Sequence, residues 1–209
     1  MKRLARILSA VSLLTLALVS CEKREPIDTM FSGFMTSHTD SQGYITSLVT
    51  DMGERYKVEY DKVRLMPDTI YRVVATLAIG ADSTATIRQI VAPDSYKAPW
   101  ENNVPAAMRV QDPVELISYY IGGGFLNIKV GIKVQDADSR HSVSYARQYS
   151  NSGKLRFTIF HNAYNEAEMI TKYLYMSIPL SQYGLHENDK VFLRCKGYEE
   201  DYDLELTYR

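Results

Sequence analysis

Phe125-Leu126-Asn127-Ile128-Lys129-Val130-Gly131-Ile132-Lys133-Val134 decides the fold class. Leu126, Ile128, Val130, Ile132 and Val134 take every second position, with Asn127, Lys129, Gly131 and Lys133 between them. Side chains of a strand point alternately to the two faces of a sheet, so this stretch predicts a strand with one face in a core and the other in water.

The same alternation recurs on both sides of it. Upstream, Tyr71, Val73, Ala75, Leu77 and Ile79 form an inward series that ends at the hairpin signal Gly80-Ala81-Asp82-Ser83, from which residues 84–91 return. Residues 44–50 and 55–60 read as two more strands about the turn Asp51-Met52-Gly53, and residues 30–37 as another, giving about five short strands. Downstream, strands are expected near 114–120, 141–148, 154–162, 172–178, 190–197 and 202–208. Turn signals separate them at Gly122-Gly123-Gly124, Asp136 to Asp138, Asn151-Ser152-Gly153 and Asn188-Asp189. About seven strands in some hundred residues suggest a β-sandwich. Residues 166–171 read as a short helical turn, and nothing after the first twenty residues carries a ten-residue helical period. Sixteen Tyr and six Phe against one Trp suit half-buried pleated surfaces.

Between the two series, Pro93, Pro99, Trp100, Asn102, Asn103 and Pro105 fall close together without periodicity. Proline removes a backbone donor and restricts its neighbour, so this stretch is a connection, and a domain boundary is placed near Ala106.

The chain opens with Lys2, Arg3 and Arg6, then an apolar stretch from Ile7 to Val19. That is the charged and apolar order of an export signal, and it is too short for a permanent helical span of the ~30 Å hydrocarbon core. It ends in Leu18-Val19-Ser20-Cys21, which resembles the bacterial lipobox, and the resemblance implies cleavage before Cys21 and lipid on its thiol. Residues 1–20 are then a lipoprotein signal peptide and 21–29 a lipidated tether. Several acyl chains hold a protein on a bilayer at roughly 0.8 kcal/mol per buried CH2. With Cys21 carrying lipid, Cys195 has no disulfide partner within the chain, and Val191, Leu193 and Cys195 share an apolar strand face. Removing residues 1–20 takes three of the 24 Lys and Arg and none of the 25 Asp and Glu, which leaves a net charge of −4. No basic footprint for nucleic acid remains.

Tyr71-Arg72-Val73-Val74-Ala75, Asp112-Pro113-Val114, Gly123-Gly124-Phe125-Leu126-Asn127-Ile128, His141, Ile178-Pro179-Leu180 and Asp189 to Arg194 together resemble the NigD-like lipoproteins of Bacteroidetes. That resemblance spans the chain and implies an all-β protein, with an N-terminal OB-like small barrel over residues 30–106 and a C-terminal β-sandwich over residues 107–209. It also implies a lipid-anchored place in the cell envelope, on the outer membrane, and it carries over no catalytic or ligand-binding residue. The family takes its name from a bacteriocin locus.

No specific chemistry stands out. His38, His141, His161 and His186 lack metal-site spacing and read as strand-edge or surface residues, so no metal is expected. Asp136-Ala137-Asp138-Ser139 lacks the Gly and distal Glu of a calcium loop and reads as a polar turn. Glu199-Glu200-Asp201 with Asp203 reads as a charged turn. There is no Gly-x-Ser-x-Gly elbow and no phosphate loop, and no cofactor is expected. Tyr173 and Tyr175 share a strand face opposite Leu174, Met176 and Ile178, and are expected in the core rather than on a ligand platform. Trp100 is expected between the domains. The sequence thus favours an anchored binding module for an envelope protein or glycan, and not an enzyme. The alternative is a hydrolase of envelope or dietary glycans, which needs only two placed carboxylates.

Overall fold

The computed structural model describes residues 29–60, 63–80, 82–150 and 153–209. Leu18, Val19, Ser20, Cys21 and the tether to residue 28 lie outside the described residues, as do Ala81 of one expected turn and Asn151 and Ser152 of another. The expected all-β architecture is what the chain adopts, with a small barrel followed by a sandwich. Among the described residues helix is confined to three short 3-10 segments, and none of it is long and apolar enough to cross a membrane.

β1 (Thr29–Thr39), β2 (Ile45–Thr50), β3 (Arg55–Tyr60), β4 (Ile70–Ile79) and β5 (Thr84–Val91) close into a barrel in the order β1-β2-β3-β5-β4. β3 and β5 run parallel and β1 closes on β4, the strand order of an OB-fold. The inward series of β4 fills it: Val73, Ala75 and Leu77 pack with Met35, Ile45, Leu48 and Ala85. The turns have the backbone their residues allow. Gly53, at φ +87°, closes the β2–β3 turn by donating to Thr50 O at 3.0 Å.

β6 (Glu115–Gly122), β7 (Phe125–Val134) and β10 (Ile170–Pro179) form a three-stranded sheet in the order β10-β7-β6. It packs against a four-stranded sheet of β8 (Ser142–Tyr149), β9 (Leu155–Asn162), β11 (Lys190–Cys195) and β12 (Tyr202–Thr207), ordered β12-β11-β9-β8. Leu126, Ile128, Val130, Ile132 and Val134 point into the shared core with Phe157, Met176, Ile178, Leu193 and Cys195.

The other face of β7 is not uniformly wet. Asn127 is fully buried and Gly131 is buried too, whereas Lys133 is exposed. Asn127 is covered because side chains from the barrel sit on that end of the sheet. The helical turn expected over 166–171 is also absent. Tyr164 and Asn165 take left-handed backbone (φ 53° and 58°), Met169 N donates to Val134 O at 3.0 Å, and β10 begins at Ile170. Once that amide serves the sheet, it cannot serve a helical turn.

The Pro-rich connection lies down on the sandwich. Asp94 N donates to Tyr175 O and Ser177 N to Asp94 O, both at 2.9 Å. The Tyr96 ring stacks on Tyr145 at 4.3 Å, and Tyr145 OH both accepts from Tyr96 N and donates to Tyr96 O. Further along, Val104 packs on Ala146 and Phe160, and Val114 N donates to Lys196 O at 2.9 Å.

Candidate functional site: the seam between barrel and sandwich

A closed polar cluster joins the two β units. Arg72 lies on the outer face of β4, since its neighbours Tyr71 and Val73 point into the barrel. Its Nη1 is 2.7 Å from Asp51 Oδ1, in the β2–β3 turn, and both side chains are under a tenth exposed. Arg72 Nη2 donates to Asp51 Oδ2 at 2.8 Å and to Asn127 Oδ1 at 2.9 Å, and Nε donates to Ser177 Oγ at 2.9 Å. Ser177 Oγ donates to Asn127 Oδ1 at 2.6 Å. Asn127 Nδ2 and Tyr120 OH both donate to Asp51 Oδ2, at 2.9 and 2.8 Å. The guanidinium also lies 4.4 Å over the Phe125 ring.

Burial makes such a cluster conditional on completeness. An ion pair withdrawn from water repays its desolvation only when the remaining lone pairs and protons find partners. Here three donors converge on one carboxylate oxygen. Burial, and then the hydrogen bond to Asp51, push the Tyr120 hydroxyl far above the ordinary tyrosine range, so it stays a proton donor.

Beside this cluster a groove of about 760 Å3 opens between barrel and sandwich. Residues 31–34 of β1 and Asp51 and Met52 of the β2–β3 turn form one wall. Ile117, Ser118, Tyr120, Ile121 and Gly122 of β6 form the other, with Lys129 and Tyr175 between them. Phe34 meets Tyr120 and Tyr175 edge-on at 6.2 and 6.0 Å. Lys129 Nζ stands 4.6 Å over the Tyr173 ring and 5.7 Å over that of Tyr175. The two tyrosines are therefore not in the core: Tyr173 is 52% exposed and Tyr175 faces the groove. β10 is an edge strand whose outer face extends past the barrel.

The histidines divide. His141 and His161 are buried and not at the surface, because β8 and β9 pair and bring their rings together. His141 Nδ1 is 2.9 Å from His161 Nε2, and His161 Nδ1 is 2.9 Å from Pro113 O. A carbonyl only accepts, so His161 carries its proton on Nδ1 and accepts from His141. Glu166 Oε2 sits 3.3 Å from His141 Nε2. Burial is the main influence that lowers the His161 pKa. His186 is exposed beside Asp189. Among the described residues no three His, Cys, Asp or Glu side chains gather as a metal would require. Asp136 accepts from Asp138 N within its own turn, and Asp203 pairs with Arg156 at 3.5 Å.

Trp100 does not stand between the two β units. It packs on the sandwich, 4.5 Å from the Arg147 guanidinium and 5.6 Å from Tyr149. Cys195 is buried in the core, its thiol pushed up to about 12 by burial.

Sequence reasoning missed Asp51, Arg72, Tyr120, Asn127 and Ser177. The available signal was the outer face of β4, where Val74 and Ala78 accompany Arg72. A barrel exterior with that much apolar surface is one that something covers.

Known proteins match this architecture. The solved NigD-like immunity protein from Bacteroides caccae superposes with a TM-score of 0.70 at 23% identity, covering 87% of this chain and 92% of that one. A toxin related protein from Parabacteroides distasonis gives 0.66 at 17%, over 87% and 94%. A protein assigned as a lipoprotein, from Bacteroides fragilis, gives 0.59 at 10%, over 87% and 99%. At these identities the likeness is one of fold. No curated protein matches the chain. The model of the NigD-like C-terminal beta sandwich domain matches residues 99–208. That is more than half of the sequence, and the chain belongs to the NigD-like family.

Proposed function

We propose that this chain is an envelope lipoprotein, held on the outer membrane by lipid on Cys21, that binds a protein or glycan in the groove between its two β units and catalyses nothing. The groove carries the reading. It is concave, aromatic and apolar on both walls, and its volume falls within the ~300–1,000 Å3 common among binding clefts. Its one carboxylate, Asp51, is engaged by Arg72, Asn127 and Tyr120, which leaves no free acid to serve as a base or nucleophile there. The names immunity protein and toxin related protein, borne by two of the solved relatives, suit a partner that is itself a protein. A lipid tether would raise the concentration of such a module near partners fixed in the same membrane.

The test is a photo-crosslinking amino acid at Met52, on the groove wall, in cells making the full chain, with Glu187 as a distant control position. An adduct specific to position 52 is expected. Equal adducts at both positions, or none, would remove the groove from the reading. Cys21→Ala should move the protein from the membrane to the soluble fraction; retention after a high-salt wash would remove the anchor.

A further inference from the structure

We infer that the occupant of the groove is an extended peptide segment of a partner protein, taken up by strand addition and carrying an acidic side chain. This inference rests on the groove being a binding site and names what enters it.

Both walls of the groove are unpaired strand edges. β1 pairs with β4 from Thr29 to His38, but its pairing with β2 begins only at Met35. Among the described residues, no strand therefore neighbours residues 29–34 of β1 on the β2 side. β6 ends the three-stranded sheet and pairs only with β7. Among the described residues no backbone hydrogen bond reaches its outer edge. Four consecutive residues of β1 and the run Ile117, Ser118, Tyr120, Ile121 and Gly122 of β6 bring the edges of these strands to the groove, together with the adjoining sheet faces at Val74, Lys129 and Tyr175. A strand facing a cavity with one face would contribute alternate residues.

Proteins guard exposed edges with lysine, proline, bulges or very short strands. β6 reads Glu115-Leu116-Ile117-Ser118-Tyr119-Tyr120-Ile121-Gly122, with no Lys, Arg or Pro. Its register shift between Leu116 and Ser118 blunts the edge at Ile117 only, which leaves residues 118–122 regular. Residues 29–34 of β1 carry no charge at all. An extended peptide offers N–H and C=O groups to such edges, and apolar side chains on alternate positions to the walls.

Charge narrows the sequence of that peptide. Asp51 and Lys129 are the two charged residues lining the groove. Asp51 is neutralised by Arg72, whereas the Lys129 ammonium lies over two tyrosine rings and, among the described residues, forms no ion pair. A bound segment that places Glu or Asp over this ammonium supplies the missing partner.

The test pans a phage-displayed library of random ten-residue peptides against the full-length chain in detergent micelles. Selected peptides are then synthesised, with and without N-methylation at alternate positions, and measured by fluorescence polarisation. The expected result is enrichment of alternating apolar sequences with one acidic residue. N-methylation should weaken binding at least ~10-fold in either register, because a strand between two edges turns one set of amides to β6 and the other to β1. Lys129→Met, checked by thermal melting for an intact fold, should erase the preference for Glu over Gln at the acidic position. No enrichment, insensitivity to N-methylation in both registers, or an acid preference that survives in Lys129→Met would overturn the inference. A glycan crosslinked from position 52 alongside a failed panning would leave the binding function standing and remove the peptide.

Discussion

Arg72 of the barrel and Asn127 of the sandwich are joined by a 2.9 Å hydrogen bond from Nη2 to Oδ1, so the orientation of the two β units is tied to a buried cation. Arg72→Met should destabilise the protein by about 3–5 kcal/mol, because it strands the Asp51 carboxylate out of water. Asp51→Asn in the same chain should recover part of that loss by removing the stranded charge. Urea unfolding of the four species closes the cycle, and simple additivity would contradict the coupling.

Gly123 and Gly124 separate backbone strain from steric intrusion. Both have positive φ, but a Cβ on Gly124 meets nothing, whereas one on Gly123 would collide with Asp51 Oδ1. Gly124→Ala should cost about 1–2 kcal/mol, and Gly123→Ala distinctly more. Equal shifts in melting temperature would show that the Asp51 turn yields freely.

Stability should fall on mild acidification. His161 is held neutral, with its folded pKa below the ordinary 6.5, so between those values the unfolded chain binds more protons. The contribution is complete above about pH 6.5 and is lost as pH falls through the folded value. The groups around it are His141, Glu166 and Asp112, with Lys133, Glu168 and Tyr198 bordering the same cleft. A second proton on His161 would set two donors face to face across 2.9 Å. Urea midpoints at pH 7.5 and 5.5 should differ, and His161→Gln should narrow the gap; an unchanged gap would assign it to the carboxylates.

Cys195 should resist maleimide at pH 8 in the folded protein and react promptly in urea, since its thiol is buried and pushed up to about 12. Fast labelling without denaturant would mean that β11 opens locally.

We place the accessible joint near Ala106. Residues 105–109 are all exposed, and elastase should cut there first. The fragments should stay together on gel filtration, because the contacts of Asp94 and Tyr96 with the sandwich and the Arg72 cluster both cross the cut, and part only in denaturant. Immediate separation would show those contacts to be weak.

Periodicity made the strands readable. Leu126 to Val134 and Tyr71 to Ile79 alternate because every second residue enters a core, and each series lies in the expected element with the expected face inward. The same logic misassigned Asn127 to solvent and Tyr173 to core. Alternation reports that two faces differ, but it does not report what covers the second one. Arg72, Ser177 and Tyr120 belong to one site only because separate β units meet, and no local pattern encodes a contact that spans 105 positions. The His141–His161 pair was hidden for a related reason, since it depends on the register of β8 against β9.

That span of 105 positions also bears on the order in which the chain can fold. Asp51 and Arg72 are complete once β4 exists, whereas Ser177 and Asn127 arrive with strands made later. Until then the surface that the barrel holds out to its absent neighbour is centred on a hydrated ion pair, with Phe34 beside it. A nascent barrel with an apolar patch there would invite association with other unfinished chains. A charged pair at the centre of that face lessens the hazard, and its desolvation is deferred until the sandwich brings Asn127, Ser177 and Tyr120 to it.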